Sequence, residues 1–166
     1  MREPSAAKVP LKEKLYIEVL ATVVGELGVF VQDAGLGQGP FPERLDRLGD
    51  MSEAWLGSNP TAARLLIWEI LGQGAFVQSP AGQAVPMTVR EVSRFLAEGM
   101  ASGDIPKQNP DHLAMSVISI HLMYFAVSAL SNDVFETDIF SDAAMQARMV
   151  SVREQIRRLC GVALDA

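Results

Sequence analysis

With 166 residues, the chain is long enough to bury a sizeable core as one domain without disulfide or metal support. Apolar residues make up 49% and mean hydropathy is +0.18, a greasy balance that hints at a subunit interface or an internal cavity. A net charge of −6 and a pI near 4.9 argue against this chain by itself gripping a phosphate backbone.

The first ten residues hold two prolines and small polar residues, and read as a loose tail before a single domain over 11–166. They lack the apolar core of a secretory signal. Helical spacing begins at Leu11 and runs to about Ala34, through Leu15, Val19, Val23, Leu27, Phe30 and Val31. The glycine-rich loop AGLGQGP ends it. A second helix is predicted from about Pro42 to Gly57, with Leu45, Leu48, Met51 and Trp55 inward. Glu43, Asp46, Asp50 and Glu53 line another face, but Arg44 and Arg47 alternate with them, so a solvated face is expected rather than a cation site.

Asn59-Pro60 has the chemistry of a helix start, an amide acceptor followed by a residue that needs no donor. The helix it opens, TAARLLIWEIL, leaves only Arg64 and Glu69 polar and is therefore expected to be surrounded. Residues 79–102 place Val85, Val89, Val92, Leu96 and Met100 on one stripe, with Phe95 beside it and Pro86 delaying or kinking the start. Gly103 supplies the left-handed stop, and Asn109-Pro110 the restart.

From Pro110 to about Ser131 the chain is apolar almost all round, so its own domain should cover one side and something else another. Leu113 to Leu130 approaches membrane-span length. It contains His121, Ser116, Ser119 and Ser128, with Asp111 and Asp133 at its flanks, so a buried helix is expected and no membrane partner. SNDVFETDIF reads as an acidic, turn-like connector. Ser141-Asp142 caps a last helix with Met145, Met149, Val152, Ile156, Leu159 and Ala163 on one stripe, and Arg148, Arg153, Glu154, Arg157 and Arg158 on another face. Nothing alternates with a period of two. The expected class is all-α, with about six helices.

Motifs for catalysis are sparse. HExxH, CxxC and the phosphate-binding GxxxxGK are absent, and the glycines of GLGQG follow a helix rather than a strand. Asn109 and Ile118 precede His112 and His121 by three positions, which excludes the Glu-x-x-His pairs of helical di-iron proteins. Ser5-Ala6-Ala7-Lys8 matches SxxK by letter only, without SDN or KTG partners. No cofactor is expected. The single cysteine, Cys160, rules out an intrachain disulfide, fits a reducing, cytoplasmic setting, and reads as a small packing residue. His121 lies among Ile120, Leu122, Met123, Tyr124 and Phe125. It is either a core imidazole or a polar contact in a ligand cavity, and on the cavity reading Trp55, Trp68, Glu69, Phe95 and Tyr124 join it as candidate pocket residues.

The phrases NPTAARLLIWEIL at 59–71 and RFLAEGMASGDIPKQNPDHLAMSVI at 94–118 resemble the effector-binding domain of TetR (tetracycline-repressor-like) transcriptional regulators. So does the sequel of apolar helix, acidic loop and closing amphipathic helix; the likeness spans about residues 41–164. The resemblance implies a homodimer in which the last two helices pair with their copies in a four-helix bundle, placing Met145, Met149, Val152, Ile156 and Leu159 at the interface. It also implies a cavity for a small, mainly apolar effector; the lack of any nucleophile–base or metal constellation in the sequence argues against an enzyme. Such regulators, repressors among them, read DNA through an N-terminal helix-turn-helix head. No such head is legible before Leu11, so DNA contact is expected only through a head absent from this sequence. The alternative is a helical protein-interaction module that takes no small molecule.

Overall fold

The structure, a computed structural model, describes residues 11–33 and 38–163; of residues 13 and 30–33 it describes the backbone alone. The expected tail at 1–10, the stripe positions Phe30 and Val31, and the helix end at Ala34 lie outside what is described. The described residues form seven α-helices in succession: α1 (Leu11–Asp33), α2 (Phe41–Ser58), α3 (Ala62–Gly72), α4 (Ala84–Ser102), α5 (Pro110–Ala126), α6 (Ser128–Phe135) and α7 (Asp142–Cys160). A 3-10 turn, Pro80–Gln83, leads into α4, so Pro86 sits near a helix start, where its missing donor costs little. The described residues are all helix, turn and loop; the fold is all-α.

Local chemistry sets the α4–α5 junction. Gly103 takes a left-handed φ of +85°, and the amides of Asp104 and Ile105 both donate to the Gly99 carbonyl, at 2.9 and 3.2 Å. Asn109 Oδ1 then accepts from the amides of Asp111 and His112, at 3.0 and 3.1 Å, with Pro110 at the first helical position. The same two letters behave differently at Asn59-Pro60. Asn59 Nδ2 turns back to donate to the Trp55 carbonyl at 2.9 Å, and α3 starts at Ala62 with no side-chain cap.

The expected single helix over 110–131 is two helices. α5 and α6 meet at 76° across Val127, and part of the expected connector, up to Phe135, is helical. The Ser131 hydroxyl donates to the Tyr124 carbonyl at 3.2 Å, satisfying an acceptor near the bend. No single described helix is long and apolar enough to cross a membrane; α5 and α6 reach that length only together, across the bend.

The main core lies where α2, α4, α5 and α7 meet, around Leu45, Leu48, Leu96, Val117, Val152 and Ile156. Phe41 and Phe95 stack within it at 4.8 Å, and the approach of Phe41 requires Gly99, where a Cβ would come within 2.4 Å of the ring. α1 and α3 pack on Phe76 through Leu20, Val24 and Leu66.

α7 lies antiparallel to α2, and the contact corrects two expectations. Asp46, Asp50 and Glu53 do not form a solvated face: they pair in turn with Arg157, Arg153 and Arg148. Arg157 grips Asp46 with two nitrogens, at 2.6 and 2.9 Å. Val152 and Ile156, expected at a dimer interface, are 1% and 3% exposed within the protomer, because their stripe packs on α2. Met145 and Met149 are half-buried on the same side, with Met145 against Gly57, and Leu159 lies at the stripe's exposed edge. The face of α7 turned outward carries Ala143, Ala147, Val150 and Glu154.

Candidate functional site

Helices α1 to α5, with Ile156 of α7, line a partly open cavity of about 650 Å³, a size suited to a small organic molecule. Its wall is almost entirely carbon, with Leu27, Leu48, Ile67, Val89, Ile118 and Leu122 contributing from the five helices. Apolar positions from each of these helices converge here, but α3, expected to be surrounded, leaves Trp68, Ile70 and Leu71 exposed on its other side.

One charged cluster stands at the wall. His121 of α5, 6% exposed, lines the cavity, and its Nδ1 lies 2.7 Å from Oε1 of the fully buried Glu53 on α2. Arg148 of α7 closes the cluster. Its Nε reaches Glu53 Oε2 at 3.2 Å, and its terminal amino group donates to Glu53 Oε1 at 3.3 Å and to the Ile120 carbonyl at 2.8 Å. An ionised carboxylate only accepts, so Nδ1 carries the hydrogen in this contact. The opposite edge of the ring lies by Gly49, one turn before Glu53; a Cβ there would stand 3.8 Å from Cε1 and 4.0 Å from Nε2. The spacing Gly49–Glu53 on α2 thus seats the imidazole, with Nδ1 toward the carboxylate and Nε2 beside a helix turn that also lines the void.

Of the candidate pocket residues, His121 alone lines this cavity, and the others are corrected. Trp68 is 75% exposed. Trp55 is half-buried beside Leu56 and Phe125, away from the cavity wall. Phe95 is committed to the Phe41 stack, with the Arg44 guanidinium 4.9 Å over its ring. Glu69 is buried for a structural reason: Oε2 accepts from the Phe76 amide at 3.2 Å, and its carboxylate also bonds Tyr16. Burial, with that bond and charge, raises the Tyr16 phenol above its ordinary range. Tyr124 is not on the cavity wall; its ring centroid lies 4.2 Å from the Arg148 guanidinium carbon. Burial raises its phenol, Arg148 opposes that and Glu53 adds to it.

Cys160 is fully buried in the main core, where burial pushes its thiol up to about 11. It stays protonated at neutral pH, unlike a working nucleophile. Among the described residues no group of three or more His, Cys, Asp or Glu side chains gathers to hold a metal. Gly49, Glu53 and Arg148 were missed from sequence. Sequence shows Glu53 only as one of four acids on a helix face that also carries arginines, and the arginine that neutralises it lies 95 positions away.

The buried cluster and every part of the cavity wall except that given by α1 fall within one stretch of family likeness. Residues 42–156, more than half of the chain, match the family described as Tetracyclin repressor-like, C-terminal domain. The chain belongs to that family. No curated protein matches it. Tetracyclin repressor-like C-terminal domains are generally regulatory, and generally bind small effectors and dimerise.

Proposed function

We propose that this chain is the effector-sensing and homodimerising body of a TetR-like transcriptional regulator, acting on DNA through a reading head that is not among its described residues. The observation that carries the proposal is the carbon-walled cavity of about 650 Å³ with the buried His121 among the few polar side chains on its wall. A small, mainly apolar effector would fill the cavity and trade water for buried contact at about 25 cal/mol per Å² of apolar surface. Its effect on the regulator requires unequal affinity for two arrangements of the helices. The cluster that touches the cavity at His121 also holds α7 through Arg148, so occupancy can bias the position of that helix.

The homodimer in this proposal uses the outward sides of α5 and α7. Ser116, Met123, Ala143, Ala147 and Val150 are exposed there, and the small side chains allow two helices to approach closely.

Thermal unfolding of the protein across a panel of hydrophobic small molecules tests the sensor. A bound effector at about 100 times its dissociation constant adds roughly 2.7 kcal/mol, so a sensor gives a midpoint that climbs with ligand concentration. A panel that leaves the midpoint unmoved would favour the interaction module instead.

A further inference from the structure

The wall of the cavity has a chemical bias. Three hydroxyls lie on it, and each donates to the carbonyl one turn back in its own helix: Ser52 to Leu48 at 2.8 Å, Thr88 to Ala84 at 3.0 Å and Ser119 to Met115 at 2.6 Å. Their hydrogens are spent; their oxygens can only accept. Asp111 accepts from the Ser93 hydroxyl and offers carboxylate oxygens, also acceptors. His121 spends its Nδ1 hydrogen on Glu53. Arg148 already balances the Glu53 charge, so with a neutral ring the buried cluster carries no excess charge, and Nε2 then holds a lone pair. Among the lining side chains, Arg90 alone has a hydrogen to donate; it is exposed, as Asp111 and Ser119 are, which leaves Ser52, Thr88 and His121 as the polar groups inside the rim.

We infer that the effector is an apolar molecule bearing a hydroxyl, which donates its hydrogen to His121 Nε2. The inference rests on the cavity being an effector site and adds the chemical class. Inside the rim the few polar side chains of this carbon wall are acceptors, which leaves a ketone, ester or ether oxygen without a partner, and a buried unpaired acceptor is penalised. A carboxylic acid would have to leave its head at the rim beside Arg90. A phenol or alcohol fits the wall, because its hydrogen meets the lone pair while its carbon body meets carbon.

The test uses the whole chain with two probes, para-hexylphenol and para-hexylanisole, the second having the hydroxyl hydrogen replaced by methyl. Affinities are measured by calorimetry, and the imidazole nitrogens are followed by NMR in protein carrying nitrogen-labelled histidine. The sequence has only two histidines, and the exposed His112 serves as the internal control. The expected result is phenol binding about tenfold tighter than ether binding. The Nε2 resonance of His121 should move with the phenol and hold still with the ether. Equal affinities, or an Nε2 signal that ignores the phenol, would overturn the hydroxyl inference and leave the cavity standing as an effector site. If neither probe binds, both the inference and the cavity reading beneath it are overturned. The wild-type NMR measurement does not depend on a variant folding. His121→Phe adds a second arm, in which the preference for phenol should disappear.

Discussion

His121 Nδ1 and Glu53 Oε1 stand 2.7 Å apart although 68 positions separate the residues in sequence. The contact joins α5 to α2, and Arg148 extends it to α7, so one ion cluster touches a helix of the cavity wall, a helix of the core and the last helix of the fold. A buried charge is tolerated only when its partners are complete, and this one has three polar contacts from two residues. The cluster therefore fixes which turn of α7 meets which turn of α2.

Removing the anion should be costly. Glu53→Ala leaves Arg148 and His121 buried without their acceptor, and is expected to lower stability by about 3–5 kcal/mol. Urea unfolding of wild type and variant measures the difference. Glu53→Gln keeps one acceptor for the histidine and should fall between them. A midpoint unchanged in Glu53→Ala would show that the cluster adds nothing to the fold.

How far sequence alone could lead depended on distance along the chain. The Gly103 stop and the Asn109-Pro110 restart are local chemistry, completed within a few residues, and both were legible. The stripe Met145–Met149–Val152–Ile156 was legible as a stripe, but periodicity does not name the neighbour, and α2 rather than a twin molecule covers Val152 and Ile156. The acids of α2 looked solvated because their arginines lie about a hundred positions later; 111 separate Asp46 from Arg157. The bend at Val127 has no glycine or proline to announce it. Trp68 was drawn into the pocket by residue type, and type does not fix which side of a helix faces inward. His121 was the pocket residue that its surroundings did single out.

Two glycines on neighbouring helices should respond oppositely to the same methyl group. At Gly49 a Cβ meets His121 at 3.8 Å, an ordinary contact, and Gly49→Ala should raise stability by about 0.5–1 kcal/mol by stiffening the helix and its unfolded chain. At Gly99 the same atom would stand 2.4 Å from the Phe41 ring, which is itself held in the stack with Phe95. Gly99→Ala should lower stability by about 1–3 kcal/mol. Paired denaturation curves give both signs, and a common sign would contradict the packing described.

Alkaline pH should weaken the fold in a defined window. Burial raises the Cys160 thiol from 9.0 to about 11, so the folded chain holds that proton longer than the unfolded one does. Its contribution is complete below about 9 and is lost as pH climbs toward about 11, a loss of roughly 2–3 kcal/mol. Tyr16 and Tyr124, raised from 10.0, push in the same direction at the upper end. Cys160→Ala removes the thiol part. Its unfolding midpoint should therefore fall less than that of wild type between those pH values; parallel declines would place the thiol outside the cause.

The last helix offers a way to separate fold from assembly. Ile156 is 3% exposed and packs with Leu48 and Val117 in the main core, so Ile156→Asp buries an unpaired carboxylate and should unfold the protein or cost about 4 kcal/mol or more. Val150, six positions earlier on the outward side of the same helix, is 65% exposed in the protomer. Val150→Asp should leave the helical circular dichroism and the unfolding midpoint of a dilute sample close to wild type, since a surface change of this kind is worth about 0.5 kcal/mol or less. In the proposed dimer the same carboxylate would face its own copy across the two-fold axis, where like charges repel and lose water. Light scattering at micromolar concentration should then give the mass of one chain for the variant and of two for wild type. A two-chain mass in both would move the interface away from the outward side of α7, and a one-chain mass in both would remove the dimer itself.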